Sequence, residues 1–331
     1  AHNQDINDVH SQTIYTIPAY YPFLDTLARG ILEDYADKAI ELRHLRILLP
    51  TRRACRNLRN AFLRVTDGQP FILPQLVPIG DLDEDELKLT ALTLGKTDEI
   101  TAIKPAISPL RRRLLLAQLI QKIPDQHTRP EQAIALADSL ARLIDNVHNE
   151  NLSFEQLTHL VSDEFATHWQ ITLNFLEIIR LHWPAILEEE GCVDPADRRN
   201  QLIALLLDLW RAAPPSHPII AAGITGSMPS TASLLKMVSC MEYGQVILPG
   251  LDPYIDILSW DNLDNSHPQS GFHRLLGFMG AEREDVHLWP HCEGQPRPAD
   301  YIQDRLLLAS EMMRPAQSCH LWARMDQDVQ K

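Results

Sequence analysis

Short apolar runs that end at Pro or Gly alternate with longer stretches of helical period toward both ends of the chain. Ile14–Pro18 (IYTIP), Arg46–Pro50 (RILLP), Phe71–Pro78 (FILPQLVP), Ile219–Gly223 (IIAAG) and Gln245–Gly250 (QVILPG) are almost continuously apolar. That is the pattern of strands buried on both faces, as in a parallel sheet. Helical patterns follow three of them, over Pro22–Ala39, Arg52–Val65 and Thr231–Met241. The alternation predicts an α/β domain.

Between about Asp81 and Ala213 the pattern changes. Leu110–Ile123, Pro130–Val147, Glu164–Glu190 and Ala196–Trp210 repeat their apolar positions near every 3.6 residues, with no convincing strand among them. They read as amphipathic helices. Pro130 suits a first helical turn, Ser153 with Gln156 a reciprocal cap, and Gly191 a helix end. The expected organisation is therefore an α/β half over residues 1–80, a helical insertion over 81–213 and a second α/β half over 214–255. Residues 256–331 read as the start of a further mixed region, with helices over Phe272–Met279 and Tyr301–Met313.

Composition narrows the function classes. The 331 residues are 45% hydrophobic and 22% charged, which is ordinary globular usage. Thirty Lys and Arg against 44 Asp and Glu give a net charge of −14. Such a chain does not attract phosphate backbones as a whole, so any nucleic-acid role needs a local basic patch or a partner. The five cysteines are scattered and no CxxC occurs, which indicates neither a disulfide framework nor a zinc ribbon. Reduced thiols in the cytoplasm are the expectation. No apolar run approaches the ~18 residues of a membrane span, and the polar, slightly acidic start AHNQDINDVHSQT has no signal-peptide character.

Several constellations carry candidate chemistry. Gly95-Lys96-Thr97 resembles the end of a phosphate-binding loop, but the required earlier glycine is Thr90 and no buried strand precedes it. Gly223-Ile224-Thr225-Gly226-Ser227-Met228-Pro229 follows a clean strand and leads into a helix that Ser230 or Thr231 could cap. Gly223, Thr225, Gly226 and Ser227 are thus a candidate anion-binding turn. The alternative function they suggest is a dinucleotide-dependent enzyme, although Pro229 stands where the third glycine of that motif belongs. Thr51-Arg52-Arg53 with Arg56 and Arg59 makes a basic helix start directly after a buried strand, suited to phosphate oxygens. Arg111-Arg112-Arg113 reads instead as a solvated helix face. His287, His291 and Cys292 are not expected to hold a metal, because Pro290 breaks the helix that would align them.

The order of pieces IYTIPAYYPFLDTLARGIL, RILLPTRRACRNLRNAFLR, LVPIGDLDEDEL, AISPLRRRLLLAQLI, HWQITLNFLEIIRLHWPAIL, IIAAGITGSMPSTASLL, VILPGLD and HPQSGFHRLL resembles the N-terminal part of the AddB family, in its alphaproteobacterial branch. LLPTRRA (Leu48–Ala54), AAGITGS (Ala221–Ser227) and LPGLD (Leu248–Asp252) are the most specific pieces. AddB is one subunit of the AddAB helicase–nuclease, which processes double-strand DNA breaks for homologous recombination. The resemblance implies a parallel-sheet, superfamily 1 helicase-like domain of the P-loop NTPase type that lacks its P-loop, with a large all-helical insertion. Ile14–Asp25 would occupy the place of the P-loop without its glycines or lysine, and Ala221-Ala222 the place of an acidic metal-binding pair. Both halves of ATP hydrolysis chemistry are then missing, and no cofactor or metal is expected in this part of the subunit. Thr51, Arg52, Arg53 and Arg56 would touch a DNA single strand. The implied partners are the AddA subunit and DNA, with no membrane. The family's C-terminal nuclease domain is not in this sequence, so the chain is expected to be the N-terminal part of a longer subunit.

Overall fold

The computed structural model describes residues 12–80, 84–122, 129–152, 180–292 and 300–321. The chain divides into two compact units: residues 1–82, 214–227 and 231–331, and residues 83–213 with 228–230.

The first unit is built on a six-stranded, all-parallel sheet. Its strands are β1 (Ile14–Ile17), β2 (Arg46–Leu49), β3 (Gln75–Pro78), β4 (Ile219–Ala222), β5 (Gly244–Pro249) and β6 (Val286–Leu288), in spatial order β3-β2-β4-β5-β1-β6. Helices α1 (Phe23–Asp34) and α2 (Arg52–Val65) pack together on one face. Ile17, Ile47, Leu49, Ile220, Ala222 and Ile247 join Leu27, Ile31, Leu58 and Phe62 of those helices in one core. The alternate strand residues Ile14, Leu48, Ala221, Val246 and Leu248 are buried as well, so the sheet is covered on both sides, as period-two geometry with no polar face requires. Thr16 ties two strands at their carboxyl ends: its hydroxyl donates to Leu248 O at 3.2 Å and accepts from Leu251 N at 3.1 Å.

Three boundaries differ from the sequence pattern for local reasons. The helical run after β1 stops at Asp34 and continues as a 3₁₀ segment over Ala36–His44, interrupted at Lys38 with φ −132°. Strand pairing begins at Gln75 rather than Phe71, because Pro74 has no N–H to give the ladder. From residue 256 on, the described residues belong to this unit: they add a short helix α9 (Ile257–Asp261) and β6, which pairs beside β1.

The second unit, over its described residues, is helical: α3 (Glu84–Thr93), α4 (Thr97–Thr101), α5 (Pro109–Gln121), α6 (Pro130–Asn149), helical residues 180–189, and α7 (Pro195–Ala212). Proline opens α5, α6 and α7 at the first turn, where its missing N–H leaves no hydrogen bond unmade. Ile107, Leu116, Ile120, Ala137, Leu140, Ile144 and Trp183 form its core. Gly191, at φ +64°, ends the helical residues 180–189. The expected Ser153–Gln156 cap and the helix from Glu164 to residue 179 lie outside the described residues. Among the described residues no helix is long and apolar enough to cross a membrane.

Candidate nucleic-acid interface

The carboxyl edge of a parallel sheet is where its strand-to-helix loops converge, and where ligands of such sheets bind. Here the turns after β1, β2, β4 and β5 all open on that edge.

After β2, Pro50 and Thr51 turn the chain directly into α2. Thr51 is the N-cap, its hydroxyl accepting from Ala54 N at 3.1 Å. Cys55, Leu58, Ala61 and Phe62 bury one face of α2 and fix its rotation. That rotation leaves Arg52, Arg53, Arg56 and Arg59 exposed. The helix RRACRNLRNAFLRV holds five arginines and no acid. Arg64 pairs with Asp25, whereas Arg53, Arg56 and Arg59 have no carboxylate within ion-pair distance among the described residues. Arg52, Arg56 and Arg59 follow one face at i, i+4 and i+7, spanning about 10 Å of helix. The arrangement can engage neighbouring phosphates of one strand while the N-terminal N–H groups add a favourable dipole end.

The other arginine cluster is consumed within the second unit, which corrects its reading as a solvated face. Arg111 makes a two-pronged pair with Glu190 at 2.6 and 3.0 Å, and Arg113 pairs with Asp138. These partners hold the Glu190 and Asp138 carboxyls below the ordinary carboxylate range, chiefly through the arginine hydrogen bonds. Arg112 is only 6% exposed and lies in the core. It faces Asp145 at 2.9 Å and Asp194 at 2.8 Å. Trp183 Nε1 donates to the same Asp194 at 2.9 Å. The sequence signal was present: position 112 stands i−4 and i−8 from the buried Leu116 and Ile120.

The Gly223–Ser227 turn departs from an anion cradle. Gly223 and Gly226 both adopt left-handed backbone, at φ +69° and +62°. The space beside them is taken by side chains. A Cβ on Gly223 would lie 3.2 Å from the ring of Phe23, and one on Gly226 would lie 2.4 Å from Leu275 Cδ1. A pyrophosphate has no close approach to that backbone. Thr225 and Ser227 are exposed. Neither proposed cap residue serves the helix that follows, α8 (Pro229–Ser239): Ser230 donates to Asn200 Oδ1 at 2.9 Å, and Thr231 Oγ1 has no hydrogen-bond partner among the described residues.

At the end of β1, Pro18, the Tyr20 and Tyr21 rings in tilted contact, and Pro22 as N-cap of α1 stand where a glycine cradle would have to be. Gly95-Lys96-Thr97 joins α3 to α4, follows a helix rather than a strand, and Lys96 pairs with Glu99 at 3.5 Å. His291 lies between two carboxylates, Nδ1 at 2.8 Å from Glu33 and Nε2 at 2.9 Å from Asp34.

No family model and no curated protein matches the chain. The class defined by its structure is an α/β protein with a six-stranded, all-parallel sheet.

Proposed function

We propose that the chain is a non-catalytic, helicase-like region of an AddB-type subunit. In this reading it guides a single DNA strand across the carboxyl edge of its sheet during double-strand break processing, in the cytoplasm and in complex with an AddA-type motor subunit. The observation that carries the reading is the contrast between two arginine clusters. Arg111–Arg113 are paired with carboxylates, whereas Arg53, Arg56 and Arg59 on α2 meet none among the described residues, in a chain of net charge −14. A cluster of exposed arginines without carboxylate partners on one helix matches a polyanion. Side chains fill the places where phosphate cradles would stand, which favours a scaffold over a nucleotide-driven motor.

The test is binding of a fluorescein-labelled dT20 oligonucleotide across a salt series. Weak binding is expected, with a log–log salt slope of roughly −0.7 per phosphate contacted. Arg52→Ala/Arg53→Ala should weaken it several-fold and flatten the slope by about 1.4, two contacts' worth. Arg111→Ala/Arg113→Ala should leave it unchanged. Equal binding by the wild type and the α2 variant would remove the basic helix from the account.

A further inference from the structure

The first unit holds a second feature on the same edge of the sheet, of opposite chemistry. A cavity of about 160 Å³ opens between the loops after β1 and β5, the turn before α10 (Ser270–Met279) and helix α11 (Asp300–Met312). For scale, a cavity of ~150 Å³ accommodates one benzene ring. Its polar and aromatic lining comes from Tyr20, Asp252, Tyr254, His267, Gln269 and Ser310.

The wall is rigidly built. The Gln269 side chain accepts from Asp252 N and donates to Gly250 O, both at 3.1 Å. His267 Nδ1 accepts from Gln269 N at 3.1 Å, which orients the ring. Asp252 Oδ1 accepts from Tyr254 N at 2.8 Å, and Oδ2 has no partner among the described residues. No Lys or Arg lines the cavity. The neighbouring guanidinium groups are occupied: Arg283 donates to the carbonyls of Pro253 and Ile255, and Arg314 is paired with Glu311 and Asp256.

One carboxylate and two tyrosines, with no Lys or Arg in the lining, make a poor phosphate or nucleotide site and a good cation site. The rim adds a further constraint. Leu306, Ala309 and Met313, the last 49% exposed, line the cavity with apolar surface that a small free ion would leave wet. We infer that this cavity docks an arginine side chain presented by a partner protein, with apolar residues of the partner beside it covering the α11 rim. Arginine rather than lysine fits because the planar guanidinium can lie on a tyrosine ring while pairing with the Asp252 carboxylate. The chain's net charge of −14 steers a basic segment toward it. The inference does not rest on the reading of α2, and each can fail alone.

The probe is the peptide acetyl-Leu-Arg-Leu-amide, titrated into the full chain by calorimetry beside acetyl-Leu-citrulline-Leu-amide, which has the same shape and no charge. Saturable binding is expected, at least tenfold weaker for the citrulline peptide. Asp252→Asn keeps the acceptor for Tyr254 N and should lower affinity for the arginine peptide by a similar factor. Ala309→Trp, at an exposed position of α11 that lines the cavity, should abolish binding with the circular dichroism spectrum unchanged. Absence of saturation, equal affinity for both peptides, unchanged affinity in both variants, or displacement of the peptide by ATP would each overturn the inference.

Discussion

Phe23 lays its ring against the α-carbon of Gly223, so close that a Cβ there would stand 3.2 Å from Cε1. The first residue of α1 thereby plugs the turn after β4, and Leu275 does the same at Gly226. These glycines are held in left-handed backbone by packing.

Gly226→Ala is expected to destabilise the first unit by about 2–3 kcal/mol, combining left-handed strain of ~1–2 kcal/mol with a clash against Leu275, which is 1% exposed and has nowhere to turn. In a Leu275→Ala background the same change should cost only the backbone part, about 1–2 kcal/mol. Urea denaturation of the four proteins measures the coupling. Strict additivity would place Gly226 away from that packing.

Arg112→Ala should cost about 3–5 kcal/mol, because it removes the guanidinium from the buried Asp194, leaving it Trp183 and His148 among the described residues, and takes the ion-pair partner from Asp145. Arg113→Ala, at a solvent-exposed pair, should cost far less than Arg112→Ala. Loss of equal size in the two variants would contradict the burial difference.

How much of this was legible in the sequence depends on how each residue is used. β1, β2, β4 and β5 could be read because buried parallel strands are continuously apolar and end at Pro or Gly. β6 could not: Val286-His287-Leu288 is a three-residue edge strand with His287 and Leu288 exposed, so no apolar run announces it. The basic face of α2 was visible as composition. That Arg53, Arg56 and Arg59 meet no carboxylate among the described residues was not, since Arg111–Arg113 look identical on paper and differ only in which carboxylates tertiary structure brings to them. The cavity at Asp252 joins residues about 290 positions apart in sequence and left no local signature.

Gly30 sits in the interior of α1, where alanine would ordinarily stabilise a helix by about 1 kcal/mol. Here the sign should reverse. A Cβ would lie 2.6 Å from His291 Cδ2 and 2.7 Å from Trp289 Nε1. Gly30→Ala is expected to push the Pro290–Cys292 turn off the helix, at a cost of about 1–3 kcal/mol. Trp289, now 1% exposed, would gain solvent, and a red shift of tryptophan emission reports it. An unshifted spectrum with raised stability would refute the contact.

Arg198 donates to both oxygens of Glu84 at 2.6 and 2.8 Å, and this hydrogen bonding holds the Glu84 carboxyl below the ordinary glutamate range. A carboxyl whose folded-state pKa is depressed adds stability above its unfolded pKa and loses it as pH falls through the folded value. The difference in stability between wild type and Glu84→Gln should therefore be largest at neutral pH and shrink on acidification below about pH 4. With Glu84 more than a third exposed, the neutral-pH difference should stay within about 1 kcal/mol. A difference that grows toward acid would reverse the assignment.

β1 is made before every other strand of its sheet, yet its sheet neighbours are β5 and β6 rather than β2. At ~5–20 residues per second, the roughly 230 residues separating Ile17 from β5 mean a wait of about 10–50 s. Throughout that time IYTI is an apolar strand with both hydrogen-bonding edges open, and the whole helical unit is made before its first neighbour exists. Such a segment is a natural client for ribosome-associated chaperones, and slowed translation anywhere between β3 and β5 lengthens its exposure to aggregation.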